Sequence, residues 1–108
     1  MIYAIVDIET TGGYAASNGI TEIAVFVHDG TKVIDNFETL VNPMQPIPYF
    51  IQTMTGITNE MVKDAPTFKD VANEVKVFID GCDLGGYNSN RFDIPILMEE
   101  FLRVGLEI

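Results

Sequence analysis

The chain has 108 residues, 47% of them apolar, and sixteen acids against six bases for a formal charge of −10. That length suits one layered domain, and the balance excludes a disordered chain, while no apolar run approaches bilayer length, so a soluble protein that does not enter the membrane is expected. The acid excess argues against a nucleic-acid binder of the basic-faced kind, less so if the acids gather where divalent cations sit.

Residues 2–9 are apolar on both alternations (Ile2, Ala4, Val6 and Ile8 against Tyr3 and Ile5), which predicts a central strand covered on both faces. The start enters this strand with no basic region or cleavage site, so a cytoplasmic location is expected. Cys82 is alone, which rules out an internal disulfide and agrees with a reducing compartment. Residues 20–28 and 31–41 are rich in Ile, Val, Phe and Thr, and Asp29-Gly30 between them suits a two-residue hairpin turn. Asn42-Pro43 and Pro46-Ile47-Pro48 break the strand pattern and lead into a short helix near 49–54, with a second starting at Thr58. Phe68, Val71, Ala72, Val75, Phe78 and Ile79 repeat at helical spacing and predict a helix over 67–80, with Thr67 and Asp70 as a capping box and Gly81 as its stop. Residues 83–87 suit a short strand. Asn90 and Asp93 can cap a last helix over 91–104, where Pro95 falls in the first turn.

A strand, an antiparallel hairpin, a helical crossover and another strand predict an α/β fold with a mixed sheet in which the fourth strand runs parallel to the first. The carboxyl ends of those two strands, near Glu9 and Tyr87, then meet at the edge where such sheets usually place ligands.

The stretch AIVDIETTGG carries the chemistry. Residues two apart on a strand share a face, so Asp7 and Glu9 present two carboxylates side by side, with Ile8 turned away. Water, a proton or a cation must relieve their repulsion. A strand end reaching solvent is the bland explanation of such a pair. Asp93, by itself a helix-capping residue, is expected beside the same edge, and three converging acids form a hard-oxygen set for Mg²⁺ or Mn²⁺.

VDIETTG together with GYNSNRFDIPIL resembles the first and second motifs of the DEDD superfamily of 3′-5′ exonucleases. That superfamily includes proofreading subunits of bacterial DNA polymerases and several RNases. ITEIAVF, LVNPMQPIP, TGIT, EMV, AP and Phe68 follow in the order and spacing of the proofreading epsilon type of DNA polymerase III. The resemblance covers nearly the whole chain. It implies a ribonuclease H-like fold and a metal-dependent 3′-5′ exonuclease in which Asp7, Glu9 and Asp93 hold two divalent cations, Mg²⁺ or Mn²⁺. These would activate a water and stabilise the leaving 3′ oxygen. Thr10, Thr11, Gly12 and Asn88 match positions that hold the terminal nucleotide, with an ordinary turn as the plain alternative for the first three and loop hydrogen bonding for Asn88. The implied partners are a single-stranded nucleic acid 3′ end, DNA or RNA, and a polymerase.

Two features depart from the superfamily pattern. It has a fourth carboxylate on a later helix, preceded by a His or Tyr acting on the attacking water, and no such segment follows Asp93. Glu99, Glu100 and Glu107 have the wrong setting, and His28 is expected near the hairpin, at the far end from Glu9. Residues 1–108 are therefore read as an exonuclease domain lacking its last strand and helix, weak or inactive, with an exposed edge that invites a homodimer. GIT and the spacing from Asn42-Pro43 to Ile47-Pro48 favour the His subclass, whereas YN followed by RFD and Pro95 is similar to the Tyr-type second motif. Glu22, in a family-like segment, receives no chemical role, and Phe92 is read as core. Arg91 is either a phosphate contact or a surface ion-pair partner. A phosphoryl-receiver domain is disfavoured because its all-parallel sheet has no place for the hairpin. A non-catalytic nucleic-acid-binding or protein-interaction relative is the remaining alternative.

Overall fold

Every second residue of the first strand disappears from solvent. In β1 (Tyr3–Thr10) the side chains of Ala4, Val6, Ile8 and Thr10 are buried, while Tyr3, Ile5 and Asp7 are exposed. The computed structural model describes residues 2–12, 19–79, 83–85, 94–103 and 105, with backbone alone at 83–85 and 94–96. Within them β2 (Ile20–His28), β3 (Val33–Leu40) and β4 (Asp83–Gly85) complete a four-stranded sheet of order β3-β2-β1-β4. β2 is antiparallel to both neighbours, and β4 runs parallel to β1 with Tyr3 opposite Asp83 and Ile5 opposite Gly85. The crossover thus has the expected sense. The expectation of cover on both faces of β1 is corrected: the described elements bury one face, and the apolar Tyr3 and Ile5 lie on the other.

The hairpin also differs in detail. Its connection runs over residues 29–32, four residues where two were expected. The Asp29 carboxylate accepts the N–H groups of Thr31 and Lys32 at 2.8 and 3.0 Å, an Asx-type turn that needs the extra length. Gly30 supplies the positive φ of 98°. His28 pairs with Tyr3 at this end and accepts the Gly30 N–H on Nδ1, well away from Glu9 as expected.

α3 (Phe68–Ile79) lies across the buried sheet face and turns Phe68, Val71, Ala72, Val75 and Ile79 inward at spacings of three and four. The Asp70 carboxylate accepts both the N–H and the hydroxyl of Thr67, which closes the first turn. The expected stop at Gly81 lies outside the described residues. α4 (Ile94–Arg103) adds Leu97 and Phe101 to the same core, the Phe101 ring meeting Phe68 edge-on with centroids 5.2 Å apart. The expected caps of α4, Asn90 and Asp93, lie outside the described residues.

A smaller core of Ile47, Ile51, Ile57 and Val62 joins α1 (Tyr49–Thr55) to α2 (Asn59–Val62). Asn59 and Gln52 tie down the backbone of Ile47 between its two prolines. Thr58 caps α2 by accepting the Met61 N–H.

Candidate active site

Residues that oppose each other in an antiparallel ladder share a face, so register decides what stands beside Asp7 and Glu9. Asp7 is opposite Ala24 and Glu9 opposite Glu22, and on the next strand Ala24 is opposite Glu38. Asp7, Glu9, Glu22 and Glu38 therefore occupy the open face of the sheet together. Burial raises the Glu9 carboxyl above its ordinary range, with Asp7 and then Glu22 adding to the shift. Burial likewise raises Glu22, followed by Glu38 and Asp7. Among the described residues each charged neighbour acting on these two groups is another carboxylate, and such a set favours protons or cations.

The expected pairing of Asp7 with Glu9 is thus present, joined by two acids that periodicity along one strand does not reveal. Glu22 and Glu38 become visible only when the strands are laid in register. Among the described residues no three Asp, Glu, His or Cys side chains converge as a metal-holding group. Asp93 and Asn88 lie outside the described residues, as do Tyr87, Arg91 and Phe92. The donor set at Asp7 and Glu9, all carboxylate oxygen and, among the described residues, joined only by further acids, fits a hard divalent cation.

Where β1 ends, the register shifts between Glu9 and Thr10, so that Thr10 stands opposite Ile20 and Thr21 is the extra residue. Thr10 and Thr11 are buried. The Thr10 hydroxyl donates to the Gly12 carbonyl, and that of Thr11 donates to Gln45 Oε1 at 3.2 Å while accepting the Gly19 N–H at 3.1 Å. The Thr11 N–H in turn reaches the Gly19 carbonyl at 3.0 Å. These hydroxyls shape the turn after Glu9 and present half-buried Gly12 beyond it. The closure requires glycine at 19, because a Cβ there would stand 2.9 Å from the Pro43 carbonyl oxygen.

Comparison with known proteins extends this geometry. A family model described as Exonuclease (RNase_T) matches residues 4–107. The PolC-type DNA polymerase III of Caldanaerobacter subterraneus subsp. tengcongensis is 38% identical over 106 residues, covering 98% of this chain and 8% of the polymerase. The 3′-5′ exonuclease DinG of Bacillus subtilis is 32% identical over 107 residues, covering 98% of this chain and 11% of that protein. The chain therefore spans only a small part of the length of these curated relatives. Among solved structures, E. coli exonuclease I in complex with a dA16 oligonucleotide superposes with a TM-score of 0.89 at 20% identity, over 98% of this chain and 24% of that one. That likeness concerns the fold, which is α/β and ribonuclease H-like.

Proposed function

Since the chain belongs to the Exonuclease (RNase_T) family, we propose that it is a metal-dependent 3′-5′ exonuclease that removes nucleotides from the 3′ end of single-stranded DNA. The observation that carries this reading is the shared face of Asp7 and Glu9, where burial and neighbouring acids leave Glu9 avid for positive charge. Asp7, Glu9 and Asp93 would hold two divalent cations, Mg²⁺ or Mn²⁺, whose charge lowers the pKa of a bound water and stabilises the departing 3′ oxygen. The chain's own residues do the rest. The turn of Thr10, Thr11 and Gly12 offers backbone at close approach to the terminal nucleotide, and Asn88 supplies a polar side chain from the second motif. An enzyme that grips only a chain end needs few phosphate contacts, which reconciles the reading with a charge of −10. DNA is favoured over RNA because the relatives include a DNA polymerase, and the same kinship suggests a polymerase partner in the cytoplasm.

The segments Gly56-Ile57-Thr58 and Asn42-Pro43 to Ile47-Pro48 support the His subclass. No His, Tyr or Asp follows residue 93 in these 108 residues. The chain alone is therefore expected to act slowly, by roughly a hundredfold or more for the want of a general base. A single-stranded oligonucleotide labelled at its 3′ nucleotide tests the proposal. Slow, Mn²⁺-dependent release of the labelled mononucleotide, abolished by Asp7→Ala, is expected. Release that persists in Asp7→Ala, or absence of both release and Mn²⁺ binding, would refute it.

A further inference from the structure

Met44 is out of place on two counts. Its φ of 58° is the left-handed conformation that favours glycine, and among the described residues no other side-chain-bearing residue adopts it. Its side chain is also 74% exposed. The fold holds it there. The Met44 N–H donates to Asn42 Oδ1 at 2.9 Å, while Asn42 donates to the carbonyls of Lys63 at 3.3 Å and Pro66 at 2.8 Å. A backbone strained by its surroundings to set an apolar side chain in water serves no packing need, and such positions cluster where ligands are gripped.

Met44 lines a cavity of about 460 Å³, within the size range of small-ligand sites. Val41 and Pro43 from the same segment, with Ile20 and Phe68, supply its other apolar walls. Lys69 from the first turn of α3 and Arg103 from the last turn of α4 bring two of the chain's six bases to it. Glu100, also on the wall, pairs with Arg103 at 2.9 Å, so the lining residues carry one net positive charge in a chain of −10. Apolar walls with one cation in excess suit a ring that carries a phosphate.

The cavity adjoins the turn that follows Glu9. Ile20 stands opposite Thr10 in the ladder, and the Pro43 carbonyl oxygen abuts Gly19, 2.9 Å from where a Cβ would be. Gln45, next to Met44, accepts the Thr11 hydroxyl. A strand whose 3′ end sits at Thr10, Thr11 and Gly12 therefore has this cavity beside it. Resting on the single-strand exonuclease reading above, we propose that the cavity is a subsite for one further nucleotide of the bound strand. Its base lies on the Met44 side chain, and its phosphate is drawn to Lys69 and Arg103. Methionine suits this contact, being flexible and polarizable and favourable to aromatic rings in general.

The test measures affinity for a 5′-labelled single-stranded oligonucleotide by fluorescence anisotropy, read before turnover, alongside thermal melts. Met44→Asn places a residue that tolerates the left-handed backbone and removes the apolar contact. It should melt no lower than wild type yet bind about fivefold more weakly, the low end of the losses when a base loses its stacking partner. Met44→Leu retains an apolar side chain and should keep most of the affinity. Lys69→Gln should weaken binding and flatten its salt dependence. Oligonucleotides that each carry one abasic residue near the 3′ end locate the base: at one position wild type should lose a similar factor, and Met44→Asn should lose nothing more. Wild-type affinity in Met44→Asn, or an abasic loss equal in both proteins at every position, would overturn the subsite. Failure of the underlying reading has a different signature: wild-type protein that binds no oligonucleotide, or 3′ release that persists in Asp7→Ala.

Discussion

Replacing Glu22 by glutamine should stabilise the metal-free protein at neutral pH, although it removes no steric clash and fills no cavity. Glu22 stands opposite Glu9, and side chains so paired have Cβ atoms about 5 Å apart. Two carboxylates at roughly 5 Å, in an effective dielectric of about 40 to 80, repel by about 1–2 kcal/mol. Both groups remain largely in contact with water, and screening brings the expected gain to about 1 kcal/mol. For a domain near a hundred residues that corresponds to roughly 4–8 °C in melting temperature. The sign of the pH dependence follows from the raised carboxyls of Glu9 and Glu22. A raised folded-state pKa means the folded chain binds the proton more tightly, so stability is greatest below the ordinary value of 4.5 and falls as pH rises through the folded value. Thermal melts of wild type and Glu22→Gln in chelator should therefore differ at neutral pH and converge in acid. The gap should also narrow in molar salt and on adding Mn²⁺. A glutamine variant that melts no higher than wild type at neutral pH, or a gap unchanged by acid and salt, would refute the electrostatic reasoning.

Phe101→Ala removes a ring that is 1% exposed and packed on Phe68; it should cost about 3–5 kcal/mol in urea denaturation, against less than about 0.5 kcal/mol for exposed Leu102→Ala. Gly19→Ala drives a methyl group against the Pro43 carbonyl and should cost about 1–3 kcal/mol, while loosening the turn enough to weaken oligonucleotide binding measured by fluorescence anisotropy. Asp70 is held below its ordinary carboxyl range by the backbone N–H and then the hydroxyl of Thr67. Its stabilising effect is present above the unfolded value of 3.8 and lost as pH falls through the lower folded value. Melting curves of wild type and Asp70→Ala should accordingly differ at neutral pH and merge in strong acid.

The parts of this molecule that were readable in the sequence are those set by local pattern. Helical spacing from Phe68 to Ile79, the start of a short helix at Thr58 and the i, i+2 placement of Asp7 and Glu9 each depend on residues within a few positions of one another, and the structure reproduces them, with Thr58 standing as the cap just before α2. The apolar Tyr3 and Ile5 misled, because residue type does not say which sheet face the helices will cover. The hairpin connection was longer than Asp29-Gly30 suggested, since the Asp29 carboxylate reaches two N–H groups beyond the glycine. Glu22 and Glu38 could not be recognised as neighbours of Asp7 and Glu9 from spacing. Their placement follows from a register interrupted by irregularities at Glu9/Thr10 and Val27/His28, and a slip of one residue would turn them to the other face. Glu100, an acid without the setting of a fourth ligand, is buried beside Arg103 three residues later, and spacing along the chain does not reveal that burial.

On the proposed reading Asp93 would join Asp7 and Glu9 around divalent cations. Electron paramagnetic resonance of Mn²⁺ titrated into wild type, Asp7→Asn and Asp93→Asn measures this without depending on turnover. Bound Mn²⁺ in wild type, and loss of most of it in both variants, is the predicted result. Undiminished binding by Asp93→Asn would contradict a ligand role for Asp93.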